Sequence, residues 1–326
     1  MSLNMESKWN QETRRLGAAI DDASTGLRLD EFLAEKFPFF SRTGWQREIT
    51  RGVVRINGGV ARKPSQRLQL GDELCRLHPL DEEPDVDMEM PVLWMDGELA
   101  AVFKPAGLPM HEAGHYRRKT VAGVLPEILG PDWCPVHRLD RETSGLLLCA
   151  RQATVRAVLT EMWTNRQVKK TYFAVTDACP ENDSWEVNRP IKADRFDRTN
   201  RAEVSDDGLE AITLFRVLSR SPKGALIEAR PLTGRTNQIR VHLAAVGMPI
   251  VGDKVYTDNA SILETYRKEG NTPRVQEMAG FPRHALHAAR LTFMHPITGT
   301  EIRLESSLPE DLKALCRLKG INLDFE

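Results

Sequence analysis

The chain has 326 residues, enough for one large domain or a large and a small one with an ample core. Charged residues at 28% and hydrophobic ones at 41% exclude a disordered or fibrous chain, and a formal net charge of −1 argues against a uniformly basic nucleic-acid binder, so any phosphate-binding face must come from local clustering. The five cysteines are odd in number and form no Cys-x-x-Cys, which speaks against a disulfide framework or a cysteine zinc site; with no apolar run of membrane length and no apolar signal core, a cytoplasmic protein away from any membrane is expected.

Residues 1–25 lack sustained periodicity and read as an N-terminal tail, although Arg14 to Ile20 could lend an edge strand. From Leu27 the pattern sharpens. Leu29, Phe32, Leu33 and Phe37 fall at helical spacing, with Pro38 ending the segment. Ser41 caps a second helix through Trp45 and Ile49 that stops at Gly52. Val53 to Ile56 is a short strand closed by the turn signal Asn57-Gly58, and Leu68 to Leu77 supplies another, interrupted at Gly71-Asp72. Arginines 28, 42, 47, 51, 55, 62, 67 and 76 with Lys36 and Lys63 outnumber the acids of this stretch, a local basic excess that the whole-chain charge conceals. A solvated charged surface is the plain alternative to phosphate contact there. The acidic, proline-marked run Asp81 to Asp87 suits an extended linker.

Val92 to Trp94 and Leu99 to Phe103 read as two strands around an Asp96-Gly97 turn, followed by Lys104-Pro105-Ala106-Gly107-Leu108. His111-Glu112-Ala113-Gly114-His115 satisfies the zinc-peptidase pattern His-Glu-x-x-His. That chemistry needs both histidines on one face of a stable helix, whereas Gly107, Pro109 and Gly114 crowd the segment and make it a loop. A zinc hydrolase is therefore a remote reading, and no metal site is expected.

Val136 to Ala150 is the stretch around which the rest is organised. Leu146 to Ala150 reads as a buried strand, and the polar turn before it sets two cations, two acids and two hydroxyls around Asp140. Arg138 and Asp140, two apart, point the same way on an extended backbone. An aspartate followed by Glu142, Thr143 and Ser144 is, taken alone, more often a turn former than a catalyst. Thr154 to Trp163 is helical and Val168 to Val175 a strand carrying Lys169, Lys170 and Tyr172. Residues 188–203 form a basic surface loop, and Ala211 to Leu218 and Ala225 to Ala229 form a hairpin through Ser221-Pro222-Lys223-Gly224. Thr233-Gly234-Arg235-Thr236-Asn237-Gln238-Ile239-Arg240 then leads into a half-buried segment. Residues 258–282 are polar, without strong periodicity, and read as an insertion or mobile loop, while Leu308 to Leu318 is an edge helix.

Several of these stretches, in this order, resemble the RluA-type pseudouridine synthases: His137-Arg138-Leu139-Asp140 with Thr143-Ser144-Gly145-Leu146-Leu147, Lys104-Pro105 with Gly107-Leu108, Lys169-Lys170 with Tyr172, and Thr233-Gly234-Arg235-Thr236 with Gln238-Ile239-Arg240 and His242. Asn237 departs from that pattern, where histidine is usual. Arg28-Leu29-Asp30 with Phe32-Leu33, Gly52 to Gly58 and Gly71-Asp72 resemble the S4 RNA-binding domain. The resemblance implies an α+β fold whose mixed, mainly antiparallel sheet is split by a cleft, with an S4-like domain over 26–80, an acidic linker over 81–91 and the catalytic domain over 92–326. It implies an enzyme that isomerises uridine in structured RNA without a cofactor, as a monomer, with large-subunit ribosomal RNA the first expected target and transfer RNA the second. An RNA-binding protein that has lost activity is the competing class. By the same resemblance Asp140 is the nucleophile, Arg240 its partner and Tyr172 the platform under the base. Arg138, His137, Lys104, Arg235, Lys170 and Thr143 bind substrate, and Arg28, Arg42, Arg47, Arg51 and Arg55 bind RNA. A carboxylate in a partly dry pocket needs such a cation beside it to stay charged, and the target base must leave its stack to reach it.

Overall fold

The computed structural model describes residues 13–38, 40–77, 83–114, 116–193 and 201–324. The chain divides after Pro84 into two compact units.

The first unit contains strands β1 (Thr13–Ala19), β2 (Val54–Ile56), β3 (Gly59–Val60) and β4 (Glu73–Leu77) in the order β1-β4-β2-β3, with helices α1 (Leu29–Lys36) and α2 (Arg42–Thr50). The apolar spacing of α1 and α2 converges on one core of Leu29, Leu33, Trp45, Ile49, Val54 and Leu74. Ser41 caps α2 by accepting the Gly44 N–H, and Asn57 and Gly58 turn the β2–β3 hairpin at positive φ. Residues 14–19 do form an edge strand, antiparallel to β4.

The second unit is built on a long sheet. In chain order its elements are β5 (Val92–Met95), β6 (Leu99–Lys104), α3 (Val121–Ile128), β7 (Cys134–Pro135), β8 (Ser144–Ala150), α4 (Ala153–Thr164) and β9 (Lys169–Thr176). Then come β10 (Ser184–Asn188), β11 (Ile191–Ala193), β12 (Ala202–Val204), β13 (Ile212–Ser221), β14 (Gly224–Pro231) and α5 (Gln238–Ala245). The chain closes with α6 (Ala260–Glu269), α7 (Pro273–Met278), β15 (Leu286–Met294), β16 (Glu301–Glu305) and α8 (Glu310–Lys319). The sheet order is β10-β13-β14-β9-β15-β8-β6-β5, with β16 on β15 and β7 on β8. Its pairings are antiparallel except β8 with β15, so the fold is α+β with a mixed, mainly antiparallel sheet. Apolar residues build one core under β9, β14, α5 and α8, another under β8, α4 and β15, a third between α3 and strands β6 and β8, and a smaller one around β11, β12 and Tyr256.

The parallel β8–β15 contact decides where the Asp140 turn ends. Gly145 sits at φ +115 with its Cα against the Ala288 backbone, where a Cβ would lie 2.2 Å from the Ala288 carbonyl oxygen. Only glycine permits that approach.

Two expectations are overturned. Residues 188–203, read as a surface loop, hold β11 and the start of β12, an antiparallel pair. Residues 258–282 hold α6 and α7 rather than a loop. Their buried faces are narrow, centred on Ile262 and Val275, so the apolar period is too thin to register in a polar segment. Asn259 caps α6 through the Ser261 N–H, and Pro273 opens α7 at its first turn.

Candidate active site

Asp140 lies just before β8, in a turn closed by the Thr143 N–H on the Asp140 carbonyl. The next residues rivet this turn to the protein. The Glu142 carboxylate accepts from Lys254 Nζ and from the His284 N–H, each at 3.1 Å. Thr143 shares its hydroxyl with His284 Nε2 at 2.8 Å, and Ser144 pairs with His287 Nδ1 at 3.0 Å. Burial, helped by the Arg240 charge, holds His284 neutral, well below the usual histidine range. Lys254 comes from the segment between α5 and α6, His284 from the one before β15 and His287 from β15 itself, so the turn is held partly across the β8–β15 contact.

Arg240 approaches Asp140 from the first turn of α5. Its Nη1 donates to Asp140 Oδ2 at 3.2 Å and to Asn237 Oδ1 at 3.0 Å. The other two donors go to a buried carboxylate: Nε to Asp253 Oδ2 at 2.6 Å and Nη2 to Asp253 Oδ1 at 2.9 Å. Asp253 also accepts the N–H groups of Val255 and Tyr256, and the Tyr256 ring underlies the guanidinium at 4.9 Å. Burial disfavours both charges, yet Arg240 pulls the Asp253 carboxyl well below the carboxylate range and Asp253 raises the guanidinium further. Asp140 is the exposed member, its side chain 26% accessible against 0% for Asp253. One guanidinium therefore joins a carboxylate facing a cleft to another sealed behind it.

The loop from Thr233 is ordered by Gln238. Its Oε1 accepts from the Thr233 hydroxyl and the Arg235 N–H; its Nε2 donates to the Ile212 carbonyl and the Thr213 hydroxyl. Asn237 adopts the left-handed conformation at φ 54 and donates to the Tyr256 hydroxyl, a geometry asparagine tolerates better than most residues. The Asn237 substitution thus keeps a hydrogen bond to Arg240.

Two cavities meet at Asp140. The first, about 320 Å³, is walled by Trp163, Lys170, Tyr172, Thr233, Ile239 and Leu286. The second, about 660 Å³, opens beside the Pro109 to Gly114 loop, with Tyr116, Arg141, Lys254, Tyr266 and His284 around it. Arg138, Leu139, Asp140, Thr236, Asn237 and Arg240 border both. Burial and the Asp140 charge raise the Tyr172 hydroxyl above its ordinary range, so the phenol stays neutral. Burial pushes the Lys170 ammonium down to about 8, and it donates to the Thr233 carbonyl at 3.1 Å.

The residues singled out in the sequence sort into three groups. Asp140, Arg240, Tyr172, Arg138, Lys170 and Arg235 all border the first cavity. Arg138 is exposed, and among the described residues no carboxylate forms an ion pair with it. His137 and Thr143 border the cavity too, but as supports: His137 stacks on Trp163 and accepts the Leu148 N–H, while Thr143 is 2% exposed. Lys104 is a correction. It is fully buried and gives its ammonium to the carbonyls of Pro105, Leu108 and Arg141 at 2.7, 2.8 and 3.0 Å, so it ties the floor together rather than facing the cavity. Strand β6 directs its side chain inward, where three converging carbonyls fit one ammonium.

In the first unit Arg28 and Arg42 both pair with the buried Asp30 carboxylate, which burial opposes but their hydrogen bonds, with that of Gln46, hold well below the usual range. Arg51 pairs with Glu48, and Arg55 donates to the Gly58 carbonyl. Arg47 is exposed with no ion pair among the described residues. So Arg28 and Arg42 contribute less open charge than their count suggests. His111 and Glu112 sit in an irregular loop rather than on a helix, and His115 lies outside the described residues. Among the described residues no three metal-ligating side chains converge, and no helix is long and apolar enough to cross a membrane. Reasoning from sequence missed Asp253, Glu142, His284 and Gln238 as site-builders. Glu142 and Gln238 lie inside stretches already singled out, Asp253 and His284 outside them, and nothing local says which partner each will find.

Residues 98–245 match the model of the RNA pseudouridylate synthase family, and residues 27–74 match that of the S4 domain. A ribosomal large subunit pseudouridine synthase D from Xylella fastidiosa is 35% identical over 305 residues, covering 90% of this chain and 89% of that protein. An uncharacterized RNA pseudouridine synthase of Bacillus subtilis is 33% identical, covering 88% of this chain and 92% of its own length. Among solved structures, human RNA pseudouridylate synthase domain containing 4 superimposes with a TM-score of 0.56 at 27% identity, over 71% of this chain and 94% of that one.

Proposed function

Because the chain belongs to the RluA-type RNA pseudouridine synthases and so isomerises uridine to pseudouridine in RNA, we propose that its target is a uridine of large-subunit ribosomal RNA and that Asp140 is the nucleophile. The names borne by the relatives of Xylella fastidiosa and Xanthomonas campestris support the choice of RNA, as does a first unit of the S4 type.

The observation that carries the choice of residue is the Arg240–Asp140 contact at the mouth of the first cavity. The reaction breaks the bond from uracil N1 to ribose C1′, turns the base and joins C5 to C1′. The proton on C5 is lost and N1 regains one, so the base keeps its composition. An ionised carboxylate beside the sugar, held charged and still by Arg240, meets the need for a preorganised nucleophile. A uridine swung out of its stack enters between Tyr172, Ile239 and Leu286, where the phenol ring offers a stacking face. Lys170, Arg235 and Arg138 stand at the rim for the RNA backbone, a contact that positions rather than reads sequence.

The test is tritium release from RNA labelled at uracil C5, using total RNA from a strain lacking this gene. The unaltered protein releases tritium and Asp140→Asn does not. Equal release by the variant removes Asp140 from the mechanism. Mapping pseudouridines in the same RNA before and after treatment identifies the target. A new pseudouridine only in transfer RNA overturns the ribosomal assignment.

A further inference from the structure

The uracil of the target accounts for the first cavity and leaves the second, twice its size, without a role. The two share the wall formed by Arg138, Leu139, Asp140, Thr236, Asn237 and Arg240. A nucleotide presented to Asp140 is covalently joined to its neighbours, so the strand must leave the junction past that wall.

The second cavity has walls suited to a nucleotide. Tyr116 stands on the loop side and Tyr266 on the α6 side, both half-buried. Arg141 lies close to both, its guanidinium 5.8 Å from the Tyr116 ring centroid and near enough to Tyr266 for its charge to act on that hydroxyl. Two phenol rings and a guanidinium plane are the surfaces on which unstacked bases of single-stranded RNA settle. Arg138, exposed and bordering both cavities, is set where the connecting phosphate would pass. Of the acids around the second cavity, Glu142 pairs with Lys254 and Asp140 with Arg240, while the exposed Glu112 stands 4.0 Å from Arg117 on the loop side.

We infer that the second cavity, between the Tyr116 loop and Tyr266 of α6, is a subsite for the nucleotide adjacent to the target uridine in the same RNA strand, with its base stacked on the Tyr116–Arg141–Tyr266 surface. This rests on the assignment of the first cavity to the uridine. It gives α6, which carries no group of the first cavity, a part in choosing the substrate. Recognition there is by stacking, so it selects an unpaired, extruded neighbour rather than one base identity.

The experiment compares the unaltered protein with Tyr116→Ala, Tyr266→Ala, Tyr116→Phe and Tyr266→Phe on the same labelled total RNA. Loss of either ring raises KM about tenfold or more, with the loss falling on KM rather than kcat. Phenylalanine at either position recovers the affinity, because the ring and not the hydroxyl carries the stack. Ultraviolet cross-linking of the Asp140→Asn protein to that RNA attaches a nucleotide next to the modified uridine to a peptide containing Tyr116 or Tyr266. Three results overturn the inference: KM unchanged in both alanine variants, Tyr266→Phe as impaired as Tyr266→Ala, or cross-links confined to peptides of the first cavity. The second of these would mean that Tyr266 merely holds Arg141 by its hydroxyl. Absence of tritium release by the unaltered protein brings down the reading of the first cavity, and this subsite with it.

Discussion

Arg240 holds Asp253 with two hydrogen bonds, at 2.6 and 2.9 Å, and Asp140 with one, at 3.2 Å. The buried carboxylate therefore sets where the guanidinium lies, and the exposed carboxylate takes the one arm left over. Two further backbone N–H groups on Asp253 fix it in turn. Asp140 is held in place from the far side of its own partner.

Asp253→Asn places an amide N–H where Arg240 Nε now donates and removes the buried anion. Breaking such a pair costs about 3–5 kcal/mol of stability, and kcat in the tritium assay is expected to fall with it. Thermal unfolding and kcat measured together separate the effects. A variant that folds and keeps full kcat shows that Asp253 does not position Arg240.

Asn237 gives a second check on the same cation. Its left-handed backbone and its hydrogen bonds to Arg240 and Tyr256 all disfavour alanine. Asn237→Ala is expected to lose about 1–3 kcal/mol and most of its activity. Histidine also enters the left-handed region more readily than most residues and can accept from Arg240. Asn237→His should therefore stay within a few-fold of the parent rate, and a loss as deep as alanine's would contradict this.

Lys170 carries a pH signature. Burial lowers its ammonium from 10.5 to about 8, so the cation is present below pH 8 and lost as pH rises through it. If Lys170 holds RNA, KM rises between pH 7.5 and 9.5, where an ordinary lysine would still be charged. In Lys170→Arg the guanidinium stays charged throughout, and the rise in KM should disappear. A KM flat with pH in the parent protein excludes Lys170 from binding.

Gly145→Ala tests the frame behind Asp140. A methyl group at that residue would lie 2.2 Å from the Ala288 carbonyl oxygen, at a φ of +115 that L-residues avoid. Separation of β8 from β15 follows, with loss of soluble folded protein or a fall in stability of several kcal/mol. Normal thermal stability in this variant would mean the parallel pairing is more compliant than its geometry implies.

Local signals in the chain were enough to place most elements. The buried run of β8, the spacing of α1 and α2, the Ser41 cap and the Asn57-Gly58 turn each rest on residues within a few positions of one another. Asp140, Tyr172 and Arg240 stand out in the chain because short motifs carry them, and one cavity does bring them together. The burial of Lys104 was not legible because it depends on three carbonyls converging, two of them local and one, that of Arg141, 37 residues away. Residues 258–282 were misread because a helix that buries one side chain per few turns leaves almost no period. The sharing of Arg240 between Asp253, 13 residues away, and Asp140, 100 residues away, and the second cavity beyond their shared wall, depend on segments meeting in space. A sequence states which charges exist; only the packed chain decides which of them are buried, and burial is what makes each choose its partner.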